Sequence, residues 1–199
     1  SEMCIRDSRK IAESIKNRIE KTHDREAYKD LLALCIGYEA EDFAAAHQLN
    51  SEVRKMTSEA LRNGNPKDAE YFYTLHKQSM LFDAPHDFDT FLLYVEMDRK
   101  PEKRFYAPRR RYLRPIVQGY QDVLDGKLRL LTISLPKRAG KSQLGINFIN
   151  MISGRNPDKS SLMEGTGDDL VRSFYNGCLE YLQTPNEYLF YDVFPDAPL

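Results

Sequence analysis

The chain has 199 residues and a formal net charge of −1. That is enough length for one well-cored domain, or for a domain with a helical extension, and too little net charge for composition alone to argue for a nucleic-acid partner. Three cysteines, Cys4, Cys35 and Cys178, stand far apart, which excludes a disulfide framework or a cysteine metal cluster and suits a reducing cytoplasm. No apolar run approaches membrane-spanning length, so no membrane partner and no secretory signal are expected.

In chain order, residues 1–8, SEMCIRDS, read as a non-native leader. Residues 9–98 read as a helical region, a small bundle or a lid. Ile11, Ile15 and Ile19 share a face at spacing four. Leu31, Leu34 and Cys35 mark a second helix, and Leu49, Val53, Met56 and Ala60 a third. The break at 63–66, NGNP, is followed by a helix opened by Pro66 and carrying Ala69, Phe72, Leu75 and Met80. A turn at 83–85 leads into a short helix over 87–97. His23, His47, His76 and His86 lack ligand spacing and read as surface or capping histidines. The run 71–73, Tyr-Phe-Tyr, reads as core packing.

Residues 99–114 hold Arg99, Lys100, Lys103, Arg104, Arg109, Arg110, Arg111 and Arg114, with Phe105, Tyr106 and Tyr112 between them. Two readings stay open: a patch that neutralises the phosphates of DNA or of a nucleotide, or a solvated linker with Pro101 and Pro108. Pro115 is expected to open the next helix, which ends at Asp125-Gly126.

Residues 128–154, LRLLTISLPKRAGKSQLGINFINMISG, then carry the strongest motif. Leu128, Leu130, Leu131, Ile133 and Leu135 predict a buried strand. Leu144, Phe148, Met151 and Ile152 predict a helix ending near Gly154. Between them lies Pro136-Lys137-Arg138-Ala139-Gly140-Lys141-Ser142. A strand, a basic glycine loop and a helix make a phosphate-binding P-loop. Gly140 gives close backbone approach, Lys141 reaches the β- and γ-phosphates, and Ser142 places its hydroxyl on Mg²⁺. The first glycine of the common pattern is replaced by Leu135, followed by Pro136. Residues 159–166 read as a second strand. Gly167 leads into a helix with Asp168 and Asp169 in its first turn, ending before Pro185. Asp192 follows an apolar run but reads as part of a turn, not as an acidic Mg²⁺ ligand.

The fold class expected is therefore α/β, a partial RecA-like P-loop NTPase core with a parallel sheet over 99–199, preceded by the helical region. The loop PKRAGKS resembles the deviant Walker A loop of the large terminase subunits of tailed bacteriophages. The segments 108–136, ending LRLLTISLP, and 165–199, GTGDDLVRSFYNGCLEYLQTPNEYLFYDVFPDAPL, are similar to neighbouring segments of that family. The resemblance covers about 82–199. It implies an ATPase that drives double-stranded DNA into a prohead in the host bacterial cytoplasm. It also implies a homo-oligomeric ring, with the portal protein and the small terminase subunit as partners.

The resemblance implies roles for single residues as well. ATP and Mg²⁺ would be held by 136–143, including Gln143. Gln118 would read adenine, with Gln121 as runner-up. Lys137 or Arg138 would serve beside the γ-phosphate, with Lys141 and Ser142 as above. The Walker B pair and a nuclease half are expected beyond Leu199. Two alternatives stand beside it: another P-loop nucleic-acid motor such as a helicase, and a helical interaction module whose Gly-Lys-Ser is accidental.

Overall fold

The computed structural model describes residues 2–22 and 24–197, with side chains from Arg9 onward. The side chains of the expected leader, Cys4 among them, and all of His23 lie outside the described residues. The chain forms two compact units, Ser1–Asp83 and Ala84–Leu199.

The first unit is four helices: α1 (Glu2–Thr22), α2 (Arg25–Tyr38), α3 (Phe43–Asn63) and α4 (Ala69–Asp83). Their starts follow from local chemistry. Asp24 and Asp42 each sit just before a helix and accept from a backbone N–H of its first turn, at Glu26 and Ala45, both at 3.0 Å. These bonds satisfy donors that have no intrahelical partner. The expected break holds: α3 stops at Asn63, and Asn65 caps a 3-10 turn at Pro66–Asp68 that leads into α4.

Ala12, Ile19, Ala27, Leu31, Leu32, Cys35, Val53 and Leu75 build the core of this unit. Of the run 71–73 read as core packing, Phe72 is buried and Tyr71 packs partly buried against the core, but Tyr73 is 39% exposed. Ile11 is 50% exposed, so only part of the expected α1 face is buried. Two polar links pin α3 to α4. Asn50 Nδ2 donates to the Ser79 carbonyl and Ser79 Oγ donates back to Asn50 Oδ1, both at 2.8 Å. The buried Asp83 carboxylate pairs with Arg54 and with His47 Nδ1.

The second unit holds α5 (Phe88–Tyr94), α6 (Arg110–Leu124), α7 (Lys141–Arg155), α8 (Asp168–Gln183) and the single turn α9 (Phe190–Val193). Its core is aromatic: Phe88, Phe91, Tyr94, Tyr181, Phe190 and Phe194 are buried beside Leu113, Leu144 and Met151. Helix α6 begins at Arg110 rather than at the expected Pro115, which lies inside the helix. The apolar anchors Leu113 and Val117 are both buried. Extending the helix back over Leu113 gains that burial at the cost of the one hydrogen bond Pro115 cannot donate.

The expected α/β fold is overturned. Among the described residues there is no strand and no sheet. Residues 128–135 and 159–166 lack regular structure, although both read as strands in the sequence. Residues 131–135 even keep a strand's alternation: Leu131, Ile133 and Leu135 are half-buried, while Thr132 and Ser134 are exposed. What they lack is a neighbour. A strand's N–H and C=O groups are satisfied only across a ladder, and neither run has a ladder partner among the described residues. No described helix is long and apolar enough to cross a membrane.

Candidate functional site

The loop 136–140 turns sharply into α7. Ala139 donates to the Pro136 carbonyl at 3.3 Å. Arg138 has φ 65° and Gly140 φ 100°, so two left-handed residues flank Ala139. Glycine takes such a φ without strain, whereas arginine does so at a cost. The Gly140 carbonyl accepts the first helical bond, from Leu144 at 3.0 Å. Pro136, Lys137, Arg138, Lys141 and Ser142 are exposed, and Ala139 is half-buried.

The close approach at Gly140 is made by protein. A Cβ added there would stand 2.7 Å from Cε2 and Cζ of Phe105. Arg109 in turn lies over the Phe105 ring at 5.3 Å and donates to the Phe105 carbonyl at 2.9 Å. The glycine that the sequence assigns to a phosphate thus serves an aromatic contact. Ser142 offers an exposed hydroxyl in the first turn of α7.

The other named residues face elsewhere. Gln143 donates to the Tyr181 hydroxyl at 3.2 Å, tying α7 to α8. Gln118 donates along its own helix to Asp122 at 3.1 Å. Gln121 is a structural bridge: its Oε1 accepts from the Phe88 N–H at 2.7 Å, and its Nε2 donates to the His86 carbonyl at 3.0 Å and to Asp125 at 2.8 Å. Asp168 and Asp169 stand in the first turn of α8, as expected. Asp192 lies in α9 and accepts from the Tyr94 hydroxyl at 3.1 Å.

Three acidic residues that sequence reasoning passed over organise the basic run. Glu96, 3% exposed, accepts from the backbone N–H groups of Phe105 and Tyr106 and from Arg99. Arg99 also donates to Glu187 at 3.0 Å and stacks over Tyr188 at 4.3 Å. Lys103 reaches the same Glu187 at 2.7 Å. Their hydrogen bonds, that from Lys103 first, hold the Glu187 carboxyl below its ordinary range. Arg104 donates to the Arg99 and Met97 carbonyls. Asp89 takes a two-pronged bond from Arg110, at 3.0 and 2.6 Å, and a third from the Tyr106 hydroxyl. Arg99, Lys103, Arg104, Arg109 and Arg110 are thus committed to the fold. The signal was available for Glu96: a lone acid inside the apolar run 91–97, FLLYVEM, implies a buried partner.

Comparison with protein-family models, curated proteins and solved structures finds no match. The resemblance to large terminase subunits rests on the quoted segments alone. The reading of this chain as the ATP-binding part of a packaging motor depended on a strand feeding the loop. Without that strand or any sheet among the described residues, it is overturned, and the helicase alternative, which needs the same core, falls with it. The all-helical fold favours the interaction-module alternative.

Proposed function

We propose that this chain is a helical interaction module, in which the run Gly140-Lys141-Ser142 is the start of an ordinary helix. The observation that carries the reading is the contact between Phe105 and Gly140, which gives the glycine a structural reason where no sheet forms among the described residues. The interaction surface lies around the two unladdered runs. Leu130 is 81% and Leu162 85% exposed, with Leu170 and Tyr175 also exposed nearby in sequence. Apolar side chains beside unpaired backbone suit recognition by strand addition, in which main-chain bonds give affinity and alternate side chains give specificity.

A titration with a fluorescent ATP analogue, with and without Mg²⁺, tests this against the nucleotide alternative. The expected result is no saturable binding and no difference between the wild type and Lys141→Ala. Saturable, Mg²⁺-dependent binding that Lys141→Ala removes would overturn the interaction-module reading.

A further inference from the structure

Resting on the interaction-module reading, we infer that the occupant of each open edge is a second copy of this chain: residues 128–135 of one copy add as an antiparallel strand to residues 159–166 of another.

Three observations point to this pairing. The first is backbone supply. Among the described residues no backbone–backbone hydrogen bond engages 129–135 or 160–166. Each run offers the ladder partner that the other lacks.

The second is shape. A cavity of about 360 Å³ lies against the second run, lined by Ile149 and Asn150 of α7, Leu179 of α8 and Phe190 of α9. Lys159, Ser161 and Met163 form one wall of it. Their spacing of two is that of a strand with one face on the cavity, which leaves Leu162 on the other face, exposed. Asn150 is 4% exposed, and its Nδ2 finds no acceptor among the described residues, so the wall holds a polar group left unanswered.

The third is charge. The first run is flanked by cations. Arg129, Lys137 and Arg138 take part in no ion pair among the described residues, while Lys127 is held by Asp125. The second run is flanked by Asp158, Glu164, Asp168 and Asp169, against the single cation Lys159.

One antiparallel register satisfies all three. Placing Arg129 across from Glu164 puts Leu130 across from Met163, on the cavity face, and Leu131 across from Leu162 on the other face. Leu130 and Leu162 then each gain an apolar cross-strand neighbour, and Asp158 comes to lie across from Leu135, two residues from Lys137. Two copies can exchange strands reciprocally, which closes the assembly as a two-fold dimer.

Sedimentation velocity across the micromolar range tests the pairing on the full chain. The wild type is expected to self-associate, and to do so less at high salt, because the flanking charges are exposed and screened. Arg129→Glu and Glu164→Lys sit on exposed side chains and leave both cores intact. Each puts like charges opposite one another in both strand contacts, and each is expected to weaken dimerisation roughly tenfold. An equimolar mixture of the two variants restores opposite charges at both contacts and is expected to regain wild-type affinity. A wild type that stays monomeric overturns the pairing, as does association that neither charge reversal weakens, or a mixture no tighter than its parts. The ATP-analogue titration reads out separately, so failure of the underlying reading and failure of the pairing are distinguishable.

Discussion

The ring of Phe105 packs against the backbone of Gly140, leaving no room for a side chain there. A Cβ at position 140 would stand 2.7 Å from two ring carbons, at a φ of 100° that L-residues rarely adopt. Gly140→Ala should therefore lower stability by more than ~1 kcal/mol, through strain and through the clash together. Thermal unfolding checks this. The double variant with Phe105→Ala should recover the steric part and keep the conformational part. Full additivity of the two single losses would mean that ring and glycine act independently.

Glu96 governs a larger share of the second unit. Its carboxylate holds two backbone N–H groups and Arg99 in a site almost closed to water. Glu96→Ala leaves the Phe105 and Tyr106 N–H groups without that acceptor, while Arg99 keeps Glu187. The expected loss is about 2–4 kcal/mol, from the backbone donors left unsatisfied. Glu96→Gln keeps an acceptor and should lose less. Denaturant midpoints for the two variants decide the point. Equal, small losses would show that the carboxylate is dispensable.

The helices of the first unit were legible because they carry their own signals: apolar spacing at Leu31 and Cys35, and the break at 63–66 before Pro66. The start of α6 was not, because Pro115 mimics a first helical residue and only the burial of Leu113 shows the helix running past it. The strands were misread for a different reason. Alternation at Leu131, Ile133 and Leu135 reports which side chains share a face, but whether a strand forms depends on a neighbour that alternation cannot supply. At the loop, the helix start at Lys141 was legible. The reason for Gly140 was not, because Phe105 lies far up the chain.

Acid should open the second unit through Asp89. Burial alone would raise its pKa, but the bonds from Arg110 and Tyr106 outweigh burial and hold the carboxyl below its ordinary value. In the unfolded chain the group regains the higher value. The folded state is therefore favoured above the unfolded pKa, and that stability is lost as pH falls through the folded pKa. The wild type should show a steep loss of stability below about pH 4. Asp89→Asn should be less stable at neutral pH and show a shallower acid limb. An acid limb as steep in the variant as in the wild type would remove Asp89 from the account.

Cys35 gives the first unit a reporter of opening. It is fully buried, its thiol donates to the Leu31 carbonyl at 3.2 Å, and burial pushes its pKa up to about 12. A thiolate is the reactive form, so the folded site should resist an aromatic disulfide reagent, and labelling should follow the population of opened molecules. Leu31→Ala removes a neighbouring core side chain and should cost ~2–5 kcal/mol, with Cys35 labelling accelerated to match. Cys178, half-buried and pushed up to about 11 in the other unit, serves as the internal control. Its rate should be unchanged by Leu31→Ala if the two units open independently. A parallel rise at both cysteines would show instead that the chain unfolds as one cooperative body.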